Sequence, residues 1–237
     1  MIQTEIKLAG LRTLVTGQLD HARLLVVMLH GYTMQPEDLA PFTQTLRVGH
    51  TAYALPQAPM AVAHGGHTWW TVNEAARLKQ IEHGPRDLAD ARPAELPAAR
   101  AAVELLLTEL RQRAPHARLV LGGFSQGGML ASDVALHTAH QLDGLFLLSA
   151  SLINQAEWAP LFGRLGQLPV LIAHGRSDPN LAFAAGERLR DALLQGGADV
   201  NWLPFDGGHQ IPLTVWRQLR KFLQSQAKRH ADHDTAP

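Results

Sequence analysis

Apolar runs that are typical of buried strands alternate with helix-like stretches along most of this 237-residue chain. Residues 23–29 form an almost continuous apolar run that ends at His30-Gly31, as expected of a strand buried on both faces. Residues 96–113 instead repeat apolar side chains at helical spacing. Strands separated by helices of this length predict right-handed βαβ crossovers, and therefore an α/β fold with a mostly parallel sheet and helices on both faces.

The same pattern predicts the remaining elements. Strands are expected at 51–55, 119–121, 144–148, 168–173 and 200–205, and helices at 36–46, 126–138, 181–195 and 212–226. Residues 2–17 alternate apolar and polar side chains around a turn at Ala9-Gly10, which predicts two strands at an antiparallel N-terminal edge of the sheet. Residues 57–93 fit neither period, and an irregular connection of that length is usually functional or mobile.

Neither a repeat nor a linker divides the chain, so we expect one domain over residues 1–227. Residues 228–237 are polar, His-rich and without periodicity, which predicts a disordered C-terminal tail. Hydrophobic residues make up 46% of the chain, and this fraction is sufficient for a well-packed core.

Composition excludes several kinds of function. Because the chain has no cysteine, it cannot be a disulfide scaffold, use a thiol nucleophile or hold a thiolate zinc or iron–sulfur site. Basic and acidic residues number 21 each, and this balance disfavours nucleic acid and anionic membrane surfaces as partners. No signal peptide is visible, and the longest purely apolar run in the first third, 24–29, is far too short to span a bilayer. We therefore expect a cytoplasmic protein without membrane insertion.

The strongest local motif is GFSQG at 123–127, between a predicted strand and a predicted helix. A serine hydroxyl is a poor nucleophile, and it must project from a tight turn to meet both a base and a substrate. Such a turn needs very small residues two positions on either side of the serine, and Gly123 and Gly127 stand there. The motif therefore predicts Ser125 as a catalytic nucleophile at a strand-to-helix elbow.

Position along the sheet selects the base and the acid, because catalytic groups lie at the carboxyl ends of parallel strands. Asp178 follows the strand predicted at 168–173, and His209 follows the strand predicted at 200–205. The chain order Ser, Asp, His is the order expected for a nucleophile elbow. Asp206 competes with Asp178 for the acid role, but it is only three residues from His209. Asp143 precedes its strand and falls at the opposite edge.

Acyl transfer also needs donors for the oxyanion. The backbone N–H of Gln126, directly after the nucleophile, is one candidate. The loop that begins at His30-Gly31 supplies the second, the backbone N–H of Tyr32.

Four stretches together resemble the phospholipase/carboxylesterase family of α/β-hydrolases, which includes bacterial carboxylesterases and acyl-protein thioesterases. They are LHG at 29–31, GGFSQGG at 122–128, HGRSDP at 174–179 and GH at 208–209. The resemblance covers about residues 20–225. It implies the α/β-hydrolase fold, a Ser125–His209–Asp178 triad and no cofactor. The chain departs from the family pattern at Tyr32, where a leucine is common, and at Asn180, where a small apolar residue is usual. Both differences concern substrate preference.

Other residues have less specific interpretations. Trp69 and Trp70, together with Met60, are candidates for lining a substrate pocket, and packing in the core explains buried tryptophans equally well. His64 and His67 lie three apart in a glycine-rich loop without a nearby carboxylate pattern, so no metal site is predicted there. The same holds for the two histidines of the tail.

The sequence therefore predicts a serine esterase of the carboxylesterase or phospholipase type, which cleaves small-molecule carboxylic esters or thioesters through an acyl-enzyme. One alternative is a cofactor-free perhydrolase or acyltransferase on the same fold. Another is a non-catalytic ligand-binding homologue. The serine at the elbow disfavours a dehalogenase with an aspartate nucleophile, and no Walker-type loop indicates nucleotide hydrolysis. No oligomeric state is predicted.

Overall fold

An eight-stranded sheet forms the centre of the computed structural model, which describes residues 3–228. Its spatial order is β1-β2-β4-β3-β7-β8-β9-β10. These strands span Gln3–Leu8 (β1), Leu11–Thr16 (β2), Leu24–Leu29 (β3), Thr51–Pro56 (β4), Arg118–Phe124 (β7), Gly144–Leu148 (β8), Pro169–Gly175 (β9) and Asp199–Phe205 (β10). The strands β5 (Met60–Ala61) and β6 (His67–Thr68) pair separately.

The sheet is parallel from β4 to β10, whereas β1 pairs antiparallel with β2 and β2 with β4. The helices are Pro36–Leu46 (α1), Glu74–Glu82 (α2), Leu96–Arg113 (α3), Gln126–His137 (α4), Gln155–Trp158 (α5), Phe183–Gln195 (α6) and Leu213–Lys228 (α7), with a 3-10 helix at Ala159–Leu165. The predicted fold class is confirmed, including the antiparallel N-terminal edge.

Two apolar cores cover the two faces of the sheet. The larger contains the buried sides of α3, α4 and α6, and the smaller contains those of α1 and α7. Neighbouring strand residues alternate between them, so that Leu25 and Val27 belong to the larger core and Leu24 to the smaller. Every residue of β3 is buried, because helices cover both of its faces.

The strand predicted to stop at residue 121 continues through Gly122 and Gly123 to Phe124. Glycine weakens an isolated strand, but this one lies between two parallel neighbours and pairs with both β3 and β8 through the two glycines. A Cβ at Gly122 would lie 2.4 Å from the Phe146 ring, so the missing side chain makes room for that ring.

Differences elsewhere have local causes. The helix predicted at 181–195 begins at Phe183, because Leu181 is held by the Asp178 side chain and by a bridge to Arg86. The segment 57–93 contains the β5–β6 hairpin and the helix α2, and α2 has no apolar periodicity because none of its residues is buried. Lys228, predicted as the first tail residue, ends α7, and the rest of the predicted tail, 229–237, lies outside the described residues.

Within the described part of the chain, no helix combines the length and apolar character that crossing a bilayer requires.

Candidate active site

Ser125 lies at a sharp turn between β7 and α4, with φ 53° and ψ −117°. A positive φ is costly for a residue with a side chain and persists only where the surrounding structure enforces it. Here the Ser125 N–H donates to the Leu148 carbonyl at 2.8 Å, and the Ser125 carbonyl accepts from the Met129 N–H at 3.0 Å. The turn is therefore fixed by the adjacent strand β8 and by the first turn of α4.

Gly123 and Gly127, two positions on either side of Ser125, allow the backbone of α4 to come into direct contact with the backbone of β3. A Cβ at Gly127 would lie 2.2 Å from the Leu29 carbonyl oxygen and 2.5 Å from that of His30. A Cβ at Gly123 would lie 2.5 Å from the Gly127 backbone. The spacing that the sequence analysis attributed to a nucleophile elbow thus has a direct steric cause.

We expect Gly127→Ala to lower the free energy of unfolding by about 3 kcal/mol or more, because the added methyl group overlaps two backbone oxygens that cannot move away independently. Denaturant unfolding followed by circular dichroism measures this change. Gly163→Ala is the matched control, since a Cβ there meets no atom within 4 Å. If Gly127→Ala is no less stable than Gly163→Ala, the close approach of α4 and β3 is not needed for the fold.

Three side chains from different strand ends meet at this turn. His209, in the loop after β10, places Nε2 2.9 Å from the Ser125 Oγ. Its Nδ1 lies 2.7 Å from Oδ2 of Asp178, in the loop after β9. The structure therefore brings together the three residues predicted from the sequence, with His209 between Ser125 and Asp178, which is the arrangement expected of a nucleophile, a base and an acid.

The Asp178 carboxylate is buried, and its hydrogen bonds favour the ionised form. Its Oδ1 accepts hydrogen bonds from the backbone N–H groups of Asn180 at 2.8 Å and Leu181 at 3.0 Å. Burial by itself raises a carboxyl pKa, but the hydrogen bond and charge of His209, with the two N–H donors, hold the pKa of Asp178 below its usual range. An ionised Asp178 keeps the proton of His209 on Nδ1 and leaves Nε2 free to accept from Ser125.

The competing residues lie elsewhere. The Asp206 side chain is 98% exposed and faces Arg176, so it does not approach His209 from behind the ring. Asp143 accepts from the Leu119 N–H and pairs with Arg118 at the opposite end of the sheet.

The two predicted oxyanion donors both border the cavity above Ser125. Among residues 3–228, neither the Tyr32 N–H nor the Gln126 N–H donates a hydrogen bond. Gln126 is the first residue of α4, where backbone N–H groups have no partner inside the helix and favour negative charge. Both groups are thus available to an anionic oxygen.

His30 fixes the loop that carries Tyr32. Its buried ring accepts from the Ala58 N–H at 3.0 Å through Nε2 and donates from Nδ1 to the Gly31 carbonyl, 2.8 Å away. Burial lowers the pKa of His30 to about 4, so the ring is neutral at physiological pH. The Trp69 indole N–H donates to the His30 carbonyl at 2.9 Å and adds a further constraint.

The side chain of Gln126 has a separate function that the sequence analysis missed. Its Oε1 accepts from the Thr68 hydroxyl and the Trp69 N–H, both at 3.0 Å, and its Nε2 donates to the Trp70 carbonyl at 3.2 Å. Gln126 therefore anchors the segment 57–93 directly to the elbow. The only hint of this role in the sequence is that a polar residue, Gln126, directly follows Ser125. Its partners, Thr68 to Trp70, are more than fifty positions away in the sequence and could not be identified from it.

A cavity of about 750 Å³ opens above Ser125. Its apolar wall includes Trp70, Leu88, Phe124, Met129 and Ile153. Its polar lining includes Arg77, Arg86, Arg92, Glu74 and Asn180, which the sequence analysis did not single out as pocket residues.

Of the three residues predicted to line a substrate pocket, Trp70 borders this cavity, whereas Trp69 and Met60 are not among its lining residues. Trp69 is 1% exposed and packs in the core, where its ring centroid lies 5.4 Å from that of His30. Met60 pairs with Thr68 in the β5–β6 hairpin and packs against the larger core.

One cluster of possible metal ligands lies on the larger-core side of the sheet, at Asp133, His137 and Glu157. Arg100 donates to both Asp133 carboxylate oxygens at 3.2 Å and to Glu157 at 3.4 Å, and the Trp158 indole N–H donates to Asp133 at 2.8 Å. These donors already occupy the carboxylates, so the cluster is an ion-pair network.

Comparison with known proteins places the chain in a family. The model of the phospholipase/carboxylesterase family matches residues 12–227. Acyl-protein thioesterase 1 of Neurospora crassa is 30% identical over 135 residues, which are 54% of this chain and 54% of that protein. Acyl-protein thioesterase 1 of Cryptococcus neoformans is 28% identical over 185 residues, or 72% of each chain. The chain thus spans about half the length of the first relative and nearly three quarters of the second.

Solved structures agree on the fold. Esterase PE8 superposes with a TM-score of 0.74 at 22% identity, covering 95% of this chain and 99% of that one. The carboxylesterase of Bacillus cereus gives a TM-score of 0.71 at 18% identity, with 91% and 94% covered. Acyl-protein thioesterase 2 of Zea mays gives 0.71 at 23% identity, with 91% and 99% covered. The chain therefore has the α/β-hydrolase fold and belongs to the phospholipase/carboxylesterase family.

Proposed function

We propose that this protein is a serine hydrolase that cleaves carboxylic esters or thioesters through an acyl-enzyme intermediate. One observation supports the proposal above all others. The hydroxyl of Ser125 lies within hydrogen-bond distance of His209, which in turn contacts the buried carboxylate of Asp178. A serine, a neutral imidazole acceptor and an ionised orienting acid in this order are what activation of a hydroxyl nucleophile requires.

In the proposed reaction, Ser125 Oγ attacks the acyl carbon while His209 Nε2 removes the hydroxyl proton. Asp178 stabilises the imidazolium that forms and holds the ring in place. The backbone N–H groups of Tyr32 and Gln126 bind the oxyanion of the tetrahedral intermediate. His209 then gives its proton to the leaving alcohol or thiol.

Deacylation reverses the roles, because His209 removes a proton from water and the resulting hydroxide attacks the acyl carbon. The acid leaves, and the proton returns to Ser125 Oγ. Apart from substrate and water, the proposed steps use only side chains and backbone groups of this chain. That no cofactor takes part stays a prediction from the sequence.

We take the substrate to be a small molecule, because the candidate site is a cavity rather than an extended surface. The names of the relatives indicate that those proteins cleave thioesters of acylated proteins, and this activity is said of them and not of this chain. A single catalytic domain over residues 1–227, the absence of nucleic acid among its partners and a cytoplasmic location stay predictions from the sequence.

Labelling with a fluorophosphonate tests the proposal without a choice of substrate, since this reagent phosphonylates an activated serine. We expect intact-mass analysis to show one adduct on the wild-type protein and none on Ser125→Ala. Peptide mapping should place the adduct on Ser125. Absence of an adduct on the folded wild-type protein would contradict the proposal and favour the non-catalytic binding protein.

A further inference from the structure

We propose that the active-site cavity takes esters or thioesters that carry a negatively charged group, a carboxylate or a phosphate, and that Arg86 binds this group. The inference rests on the proposed function, because it names the substrate class of that same site. Guanidinium groups bind both kinds of oxyanion through paired hydrogen bonds, so the two anions share one recognition chemistry.

The charges that line the cavity are unbalanced. Three arginines face it, Arg77, Arg86 and Arg92, together with a single carboxylate, Glu74. Arg77 uses that carboxylate, since its Nη2 and Nε donate to Glu74 at 2.6 and 2.9 Å. Neither Arg86 nor Arg92 has an acidic partner within 4.0 Å in the part of the chain that the structure describes. The cavity therefore has an excess of positive charge beside Ser125.

Arg86 is held in place by its backbone rather than by an ion pair. Its N–H donates to the Asn180 carbonyl at 3.1 Å, and its carbonyl accepts from the Ala182 N–H at 2.9 Å. The Nε–H donates weakly to the same Asn180 carbonyl at 3.3 Å. The two terminal nitrogens donate to no acceptor among residues 3–228 and remain available to a ligand.

The environment of Arg86 makes an unpaired charge costly. The side chain is half-buried, and burial, followed by the charge of Arg77, lowers its pKa. A guanidinium nevertheless stays protonated in proteins, so the cost is not removed by loss of a proton. A partly desolvated cation that borders a substrate cavity is stabilised when an anion enters beside it.

The two positions at which the chain departs from its family's pattern contact the same group of arginines. The Asn180 side-chain oxygen accepts from Arg77 Nη1 at 3.2 Å, and the Tyr32 ring centroid lies 5.8 Å from the Arg77 guanidinium carbon. Asn180 also donates its N–H to Asp178 at 2.8 Å. Asn180 thus contacts both Arg86 and Asp178, and Arg86 lines the same cavity as Ser125.

Matched ester pairs test the inference. Mono-4-nitrophenyl adipate carries a carboxylate on the acyl side, and its methyl ester is the same molecule without the charge. Three butyrate esters vary the leaving group instead. The ester of 3-hydroxybenzoic acid carries a carboxylate there, the ester of methyl 3-hydroxybenzoate carries no charge, and the ester of 3-hydroxyphenyl phosphate carries a phosphate. The measured quantity is the ratio of kcat/KM for the charged ester to kcat/KM for its neutral counterpart.

We expect the wild-type protein to prefer the charged ester in at least one pair. Arg86→Gln should lower that preference by about 10- to 100-fold, the usual effect of losing a charge-assisted hydrogen bond. Arg86→Lys should keep part of it, and raised salt should weaken it. Arg176→Gln is the matched control, because this exposed arginine lies in the loop after β9, near the Asn180 that contacts Arg86, but does not line the cavity.

Two results would overturn the inference: equal or better turnover of the neutral ester in every pair, or a preference that Arg86→Gln leaves intact. Failure of the proposed function looks different, since no ester is then cleaved and no fluorophosphonate adduct forms. In that event, calorimetric titration with adipic acid monoanilide still decides the point. Loss of its binding in Arg86→Gln supports the anion site, and equal binding or none to the wild-type protein contradicts it.

Discussion

Ser125→Ala is expected to lower kcat by about a million-fold, the scale on which removal of a serine nucleophile acts in enzymes of this chemistry. Alanine cannot form the acyl-enzyme, so only the oxyanion donors and substrate binding remain to promote attack by water. Steady-state hydrolysis of a 4-nitrophenyl ester, with enzyme concentration varied to exclude a contaminant, measures the change. Residual activity within a hundred-fold of wild type would show that Ser125 is not the nucleophile.

The fold should survive this substitution, which makes its kinetic effect interpretable. Ser125 is held at its positive φ by backbone hydrogen bonds to Leu148 and Met129, and among residues 3–228 its hydroxyl lies within hydrogen-bond distance of His209 alone. We therefore expect Ser125→Ala to unfold at nearly the same denaturant concentration as the wild-type protein. Ser132→Ala in the adjoining helix α4 is a matched control for loss of a hydroxyl, since within the described part of the chain the Ser132 Oγ donates only to the Gly128 carbonyl.

Asp178→Asn is expected to lower kcat by about 10⁴-fold, and the structure gives the reason. Oδ1 of Asp178 accepts two backbone N–H groups, so the amide oxygen of an asparagine would take the same position. The amide NH₂ would then face Nδ1 of His209 and donate to it. His209 would have to carry its proton on Nε2, which is the nitrogen that must accept from Ser125.

Asp206→Asn is the control for this second prediction, because Asp206 is only three residues from His209 in the sequence but its side chain is exposed to solvent. It should leave kcat within about two-fold of wild type, as expected for a surface substitution away from the site. Similar losses in Asp178→Asn and Asp206→Asn would contradict the assignment of Asp178 as the orienting acid. Measurement of fluorophosphonate labelling rates in both variants separates loss of nucleophile activation from loss of substrate binding.

The sheet and the positions of the three candidate catalytic residues were predictable because each depends on a short stretch of chain. Buried strands read as apolar runs, and a nucleophile elbow needs glycines at fixed offsets from its serine. Asp178 and His209 followed from a rule about which end of a parallel strand carries function. None of these inferences required knowledge of which distant side chains touch.

The cavity could not be predicted in the same way. Trp69 and Trp70 are adjacent in the sequence and both pack in the larger core, yet only Trp70 also borders the cavity. Arg86 gains its position from Asn180, and Gln126 makes its side-chain bonds to residues more than fifty positions away. Such contacts form only in the folded chain, and the hydrophobic periodicity of the sequence does not indicate them.

The position of α2 also affects how the substrate range of this protein can change in evolution. The segment 57–93, which contains α2, is held by hydrogen bonds on both sides of this helix. Gln126 bonds to Thr68 and Trp70 before α2, and Asn180 bonds to Arg86 after it. Between these two attachment points α2 borders the cavity above Ser125 but contributes no buried residue to either core. Substitutions in α2 should therefore cost little stability while they change the lining of the cavity. Mutations in this one short helix could thus alter which substrates the protein accepts.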